Sequence, residues 1–192
     1  VRMFVQEVRG KDVYRGIIPL TMQAEPLSGE IVICDGLVPE GNINSLRKKG
    51  FKVIGSSILT DGMSSNADLS MNLMKAVGIK SPVKDIKGDE FSVDGWFDGY
   101  KWIWPFTSTV EDRRFMNADL GPEVKCAASA VWAYDEAKPM LALKTITKIA
   151  PYLEAAGYVG PISLDMVLDE AGTPCGCGWR VPALHTVCML IK

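Results

Sequence analysis

Hydrophobic and polar residues in the first 80 positions alternate between strand-like and helix-like spacing. A helix is predicted over residues 40–49, because Ile43 and Leu46 have helical spacing and Gly50 is placed to end it. The β-rich runs around it are residues 2–5, 30–34 and 52–54. The first run has the pattern of a strand already under way, so we expect the sequence to begin inside a domain.

A second helix is predicted after Ser65, which with Asp68 resembles a capping box. Its apolar face is formed by Leu69, Leu73, Ala76 and Val77, with Gly78 at the end. Strands and helices that alternate with short connections predict a parallel sheet flanked by helices.

The middle of the chain changes to aromatic and β-branched runs, at residues 91–97 and 100–106, on either side of Asp98-Gly99. Asp-Gly between such runs predicts a tight hairpin, because both turn positions favour positive φ. Residues 108–127 are polar and have little periodicity, so we expect a long loop, which is more often functional than merely connective.

The last third predicts one helix and one hairpin. The helix should run from Pro139 to about Ala156, and Pro151 should kink or divide it. Its apolar positions are Leu141, Leu143, Ile146 and Ile149. The hairpin is predicted from a strand over 162–168, a turn at 169–172 and a return strand from Thr173.

Composition narrows the class of protein. Hydrophobic residues make up 47% of the 192 residues and charged residues 23%, which is ordinary globular usage. The net charge is −2 and the longest basic run is Arg47-Lys48-Lys49, so nucleic acid is a poor partner. No apolar stretch approaches the roughly 20 residues of a membrane span.

An odd number of irregularly spaced cysteines favours reduced thiols and a cytoplasmic protein. The five are Cys34, Cys126, Cys175, Cys177 and Cys188. The single histidine, His185, is predicted to be structural.

Candidate chemistry is concentrated between Gly88 and Pro122. Arg113 and Arg114 are suited to phosphate or carboxylate, and Asp112 or Asp119 could orient them or a ligand hydroxyl. The alternative from composition alone is a solvated loop whose ion pairs contribute little.

The order of the polar phrases resembles the central region of phosphoribosylamine–glycine ligases (glycinamide ribonucleotide synthetases), a family of the ATP-grasp superfamily. The phrases are Gly88-Asp89-Glu90-Phe91-Ser92, Asp98-Gly99, Glu111-Asp112-Arg113-Arg114 and Asp119-Leu120-Gly121-Pro122. The resemblance covers residues 30–175, with Glu111 and Ala118 in place of the family's Gln and Gly. It implies an α/β fold that is α+β in its second half. An incomplete parallel α/β domain over 1–82 would precede an incomplete ATP-grasp-like domain over 83–192, an antiparallel sheet with flanking helices.

The resemblance also implies a reaction. Such ligases use ATP to phosphorylate the carboxylate of glycine, and the amine of phosphoribosylamine then displaces phosphate. Cations, including Mg²⁺, offset the transferred charge. By position, Asp112 and Arg114 would be catalytic. The residues implied to bind substrate or nucleotide are Glu90, Arg113, Asp119 and Gly121, and Asp165 is implied as a weaker metal ligand.

Three departures leave more than one hypothesis open. The family's opening Gly-rich strand is not found, and only residues 83–87 stand where the family has a subdomain with an ATP-binding lysine. The expected metal strand reads Cys175-Gly176-Cys177-Gly178-Trp179-Arg180, with Gly in place of an acid. The chain is therefore a ligase by descent, active or inactive as it stands, or a non-catalytic relative that binds a phosphorylated metabolite or a protein. An unrelated α/β module is the third hypothesis.

Overall fold

The computed structural model describes most of the chain after residue 44 and parts of the chain before it. The described residues are 2–5, 18–19, 29, 31–35, 45–55, 57–81, 90–116, 120–135, 140–169 and 171–181. No helix among them is long and apolar enough to cross a membrane.

The first part of the chain forms a four-stranded parallel sheet, as the alternating pattern predicts. Its strands are β1 (Arg2–Val5), β2 (Ile18–Pro19), β3 (Ile31–Asp35) and β4 (Lys52–Ile54), in the order β2-β1-β3-β4. Residues 45–48 are helical, and Gly50 has a φ of +85°, so it ends the helix as expected. Sequence reasoning missed β2, since two residues, one of them proline, give no strand pattern.

Two helices follow where one was predicted: α1 (Ile58–Ser65) and α2 (Ala67–Ala76). The prediction that Ser65 caps the second helix is wrong, because Ser65 is the last residue of α1. Asn66 caps α2 instead, and its side chain accepts a hydrogen bond of 3.0 Å from the Leu69 N–H. The predicted apolar face is only partly correct: Leu73 is buried, Leu69 is 42% exposed and Ala76 is also exposed, while Met74 is fully buried.

The second part forms a five-stranded antiparallel sheet in the order β7-β6-β5-β8-β9. The strands are β5 (Glu90–Phe97), β6 (Trp102–Arg114), β7 (Glu123–Ala133), β8 (Gly160–Leu168) and β9 (Pro174–Arg180). The two predicted hairpins, β5–β6 and β8–β9, are both confirmed. The β5–β6 turn is longer than a two-residue turn, and Asp98 does not have the positive φ expected of it. Instead its Oδ1 accepts the N–H groups of Tyr100 and Lys101, and Gly99 has the positive φ.

The prediction of a long polar loop over residues 108–127 is wrong. Strand β6 continues to Arg114 and β7 begins at Glu123, so only residues 115–122 connect them. Cross-strand pairs such as Glu111 with Ser129 extend the ladder through the polar residues. Backbone pairing has therefore overridden the weak side-chain pattern.

The predicted helix after Pro139 is divided at two places, and the second boundary lies just before Pro151, as expected. It consists of α3 (Met140–Lys144), a 3₁₀ turn (Ile146–Ile149) and α4 (Ala150–Ala155). Pro151 lies in the first turn of α4, where a proline lacks no needed hydrogen-bond donor. Leu143 is half exposed rather than part of the apolar face.

One face of the antiparallel sheet carries the hydrophobic core, which the helices cover. Alternate residues of β5 and β8, among them Val93, Ile162 and Leu164, pack with Met74 of α2 and Leu153 of α4. Because successive strand residues point to opposite faces, the intervening residues of β5 and β8 face away from the helices. Those intervening residues are mostly polar, and they form the site described next.

Candidate functional site

A cleft of about 210 Å³ lies on the polar face of the antiparallel sheet. Its lining comes from β5, β6, β8 and β9, so side chains far apart in sequence converge on it. The lining residues are Glu90, Phe91, Ser92, Thr109, Glu111, Asp165, Met166, Cys177, Gly178 and Arg180. A largely preformed concave surface with several convergent polar groups is the expected form of a ligand site.

Two of the lining hydroxyl groups, those of Ser92 and Thr109, donate hydrogen bonds to a buried carboxylate, Asp94, which is not itself part of the lining. Asp94 is 6% exposed, and its Oδ1 accepts hydrogen bonds from Ser92 Oγ at 2.9 Å and from Ser163 Oγ. Its Oδ2 accepts one from Thr109 Oγ1 at 2.8 Å. Each hydroxyl has a single proton, so Ser92 and Thr109 can offer only lone pairs to anything bound in the cleft.

The wall of the cleft is formed by an arginine that contacts two acids. Arg180 Nη2 lies 2.6 Å from Asp165 Oδ1, and its Nη1 lies 3.3 Å from Glu111 Oε1. Arg180 and Glu111 stand on β9 and β6, with β8 and β5 between them. Three interstrand steps of about 4.8 Å separate those strands, so the contact needs a long side chain.

Cys177 also lines the cleft, and its thiol is not an activated nucleophile. Partial burial raises the pKa of Cys177 to about 11, and the negative charges of Glu90 and Asp165 add to the rise. Since the thiolate is the reactive form, this thiol stays protonated at neutral pH.

The donor set does not fit magnesium, the ion that the family resemblance implies. Mg²⁺ needs near-octahedral oxygen ligands. The carboxylates that line the cleft are Glu90, Glu111 and Asp165; Arg180 contacts the last two, and β9 carries no carboxylate from Pro174 to Arg180. Within the described parts of the chain, no cluster of three or more His, Cys, Asp or Glu side chains could hold a metal ion. Asp165 as a metal ligand stays a prediction.

The structure brings two of the predicted site residues to the cleft, Glu90 and Asp165. Asp112 and Arg114 are exposed and do not line it; Asp112 Oδ1 instead accepts a 2.9 Å hydrogen bond from the Arg114 N–H. Asp112 follows Glu111 on the same strand, so it points to the opposite face.

The other predicted residues lie in or near the β6–β7 connection. The backbone of Arg113 belongs to β6, and its side chain is outside the described part, as is all of Asp119. Gly121 is buried, and a Cβ there would overlap the carbonyl of Phe115. Gly121 therefore allows a close approach of two backbone segments.

Sequence reasoning missed most of the residues that converge on the cleft. The sequence pattern does not assign Ser92, Thr109 or Arg180 to a site, nor Asp94, which holds two of the lining hydroxyls, and it marks Glu111 only as a substitution. A signal was present in β5, because the polar residues Glu90, Ser92 and Asp94 alternate with the apolar residues Phe91 and Val93. That period of two is typical of one face of a strand.

A second cavity, of about 280 Å³, lies among α1, α2 and α4 and is lined mainly by apolar atoms. Its lining includes Met63, Leu73 and Tyr152. It has few polar groups that could orient a substrate, so it is a weaker candidate for chemistry.

Comparison with known proteins places the fold. No protein-family model matches the chain, and no curated protein matches it. A solved D-alanine–D-alanine ligase from Bacillus anthracis, complexed with ATP, is 16% identical with a TM-score of 0.53, over 85% of this chain and 74% of that one.

Two further solved structures are similar over most of this chain. A pyruvate carboxylase from Rhizobium etli is 17% identical with a TM-score of 0.53, over 81% of this chain and 14% of that one. The IMP biosynthesis protein PurP from Thermococcus kodakaraensis is 12% identical with a TM-score of 0.52, over 79% and 65%. These similarities confirm the predicted ATP-grasp-like α/β architecture and do not single out phosphoribosylamine–glycine ligases.

Proposed function

We propose that the polar cleft is a nucleotide site and that the chain is an ATP-dependent carboxylate–amine ligase of the phosphoribosylamine–glycine type. The observation that carries the proposal is the cleft itself, formed by four strands of the antiparallel sheet in this fold. A ligase with the same fold has been solved with ATP. The ordered match of residues 88–122 to the ligase family supports the choice of glycine and phosphoribosylamine as substrates.

In the proposed reaction, ATP transfers its γ-phosphoryl group to the carboxylate of glycine. The amine of phosphoribosylamine then attacks the acyl phosphate, forms the amide and releases phosphate. Ser92 and Thr109 would accept hydrogen bonds from ligand hydroxyl or amine groups, because their own protons are held by Asp94. Arg180 would supply positive charge beside the transferred group, since a guanidinium stays protonated.

Glycine-dependent ADP release tests the proposal. With saturating ATP, glycine and phosphoribosylamine, we expect ADP to form only when all three are present. Absence of glycine-dependent ADP release would contradict catalysis by this chain. Calorimetry with ATP alone would then show whether nucleotide binding remains.

Paired amide substitutions can locate the site on the chain. If the cleft binds the substrates, Glu90→Gln should raise the KM for ATP or phosphoribosylamine several-fold. Glu154→Gln is a matched control, because Glu154 is exposed on α4, on the opposite side of the sheet. Asp112→Asn tests the assignment by resemblance. A large effect there with none at Glu90 would place the reaction outside the cleft.

A second candidate function is non-catalytic binding of a phosphorylated metabolite or a protein by an ATP-grasp relative. The ion pairs of Arg180 favour it, because they engage two carboxylates that could otherwise serve a cation. Under this alternative, calorimetry detects binding of ATP or of a phosphoribosyl compound while glycine-dependent ADP release is absent.

A further inference from the structure

A positively charged side chain of the protein itself, that of Arg180, lines the cleft. Arg180 reaches from β9 across β8 and β5, and its two terminal nitrogens contact acids on different strands, Asp165 and Glu111. The three side chains are all at least two-thirds buried, with exposed fractions of 24%, 32% and 16%. Water screens such contacts less than it screens contacts at an open surface.

The two acids are two of the three carboxylates that line the cleft, and the third is Glu90 on β5. Gly178 faces Asp165 across the β8–β9 ladder and contributes no side chain. Cys177 contributes sulfur, which is a poor ligand for a hard divalent cation. Among the described residues, the guanidinium of Arg180 lies within ion-pair distance of both acids.

We propose that Arg180 is a built-in cation that takes the place of a divalent metal between Asp165 and Glu111 and excludes such a metal from the cleft. This inference concerns the same cleft as the proposed function. It rests on the proposed function in one respect only, the expectation that a ligase of this kind uses magnesium. The direct test requires no nucleotide and no activity.

The test measures Mn²⁺ binding to the full chain by the loss of the free-ion signal in electron paramagnetic resonance. The quantity of interest is the difference in Mn²⁺ binding between a chain with Asp165 and the same chain with Asp165→Asn. In the wild-type background we expect no such difference. Arg180→Met removes the charge and keeps an unbranched side chain. In this variant, Asp165-dependent Mn²⁺ binding should be detected with a Kd of roughly 0.1–1 mM, the weak end for oxygen-ligand sites.

Arg180→Lys is the matched control, because it keeps a positive charge next to Asp165 and should show no gain of Mn²⁺ binding. Wild-type binding that Asp165→Asn abolishes would overturn the proposal. A folded Arg180→Met chain with no Asp165-dependent binding would overturn it as well. Circular dichroism checks folding, and Arg180→Gln replaces the methionine variant if that variant does not fold.

These outcomes are distinct from failure of the proposed function. Absence of ATP binding and of ADP release would leave the Mn²⁺ result unchanged. Conversely, a wild-type cleft that binds Mn²⁺ through Asp165 would refute the role of Arg180 and strengthen the case for a metal-dependent ligase.

Discussion

Replacement of Asp94 by asparagine should destabilise the chain by about 2 kcal/mol. Asp94 is buried and accepts hydroxyl groups from Ser92, Ser163 and Thr109. An asparagine keeps one oxygen acceptor and replaces the other with an NH₂ donor. In the better of its two orientations the oxygen still accepts Ser92 and Ser163, while the NH₂ group meets the Thr109 hydroxyl.

The magnitude follows from the three hydrogen bonds. A bond to a charged group contributes about 1.5–3 kcal/mol and a neutral one about 1 kcal/mol. Losing the bond to Thr109 and weakening the other two sums to roughly 2.5–7 kcal/mol. Two effects lower this sum: the Thr109 hydroxyl can rotate to accept from the NH₂ group, and asparagine removes the cost of burying a charge. A net loss of about 1–3 kcal/mol remains.

Urea unfolding followed by circular dichroism at pH 7 measures the effect. Asp112→Asn is the matched control, because Asp112 is exposed and its Oδ1 can still accept the same backbone N–H; we expect a change within about 0.5 kcal/mol. Thr109→Val combined with Asp94→Asn should show a coupling energy of roughly 0.5–3 kcal/mol. Equal stability of the Asp94 and Asp112 variants would refute the reasoning.

Three further predictions concern packing, the thiol and pH. Gly176→Ala should cost about 1–3 kcal/mol in urea unfolding, because its Cβ would lie 2.9 Å from a side-chain atom of α2. Gly178→Ala on the same strand has open space and should cost nothing; equal losses would contradict the packing argument. Cys177 should be alkylated roughly 10-fold more slowly than an ordinary thiol near neutral pH, because its pKa is raised to about 11 and the higher nucleophilicity of its thiolate offsets only part of the loss of thiolate. Peptide mass spectrometry checks this, and equal rates in native and urea-unfolded chain would refute it. The hydrogen bond from Lys80 lowers the pKa of Asp169, so its contribution to stability should be present above about pH 4 and lost as the pH falls through the lowered value. The difference in unfolding free energy between wild type and Asp169→Ala should therefore shrink in acid; a constant difference would contradict the assignment.

Local sequence pattern predicted the elements whose side chains alternate clearly and failed where backbone pairing decides. The strand before Gly55 and the β8–β9 hairpin were predictable, because apolar runs there end at turn residues. The extension of β6 to Arg114 was not, since its polar residues give no apolar period and the ladder with β7 holds them. The start of α2 was missed by one residue, because Ser65 and Asn66 are both good caps and Ser65 belongs to the last turn of α1.

The site was less predictable than the fold, and for a physical reason. A resemblance in residue order identifies positions along one strand, but a cleft joins positions on different strands. Asp112 and Glu111 are neighbours in sequence and lie on opposite faces of β6, so a motif that includes both cannot assign both to one cavity. Arg180 meets Glu111 only because the sheet order places β8 and β5 between their strands. Long-range pairing of this kind is fixed by topology rather than by local pattern.

Two groups of polar residues line the cleft, and they differ in what a ligand must do to bind to them. The first group is the pair of lining hydroxyls Ser92 and Thr109, which both donate to Asp94, so a ligand can donate hydrogen bonds to them without breaking those that exist. The second group is Asp165 and Glu111, which both form ion pairs with Arg180. A ligand that binds to either acid must therefore compete with an ion pair. Two solved ligase and carboxylase structures share this fold at 16% and 17% identity, and fold alone does not determine chemistry. The position of the Arg180 guanidinium therefore determines whether the cleft can bind a divalent metal at Asp165 and Glu111 or has an arginine in its place. Asp165-dependent binding of Mn²⁺ to the wild type and to the Arg180 variants distinguishes these two alternatives.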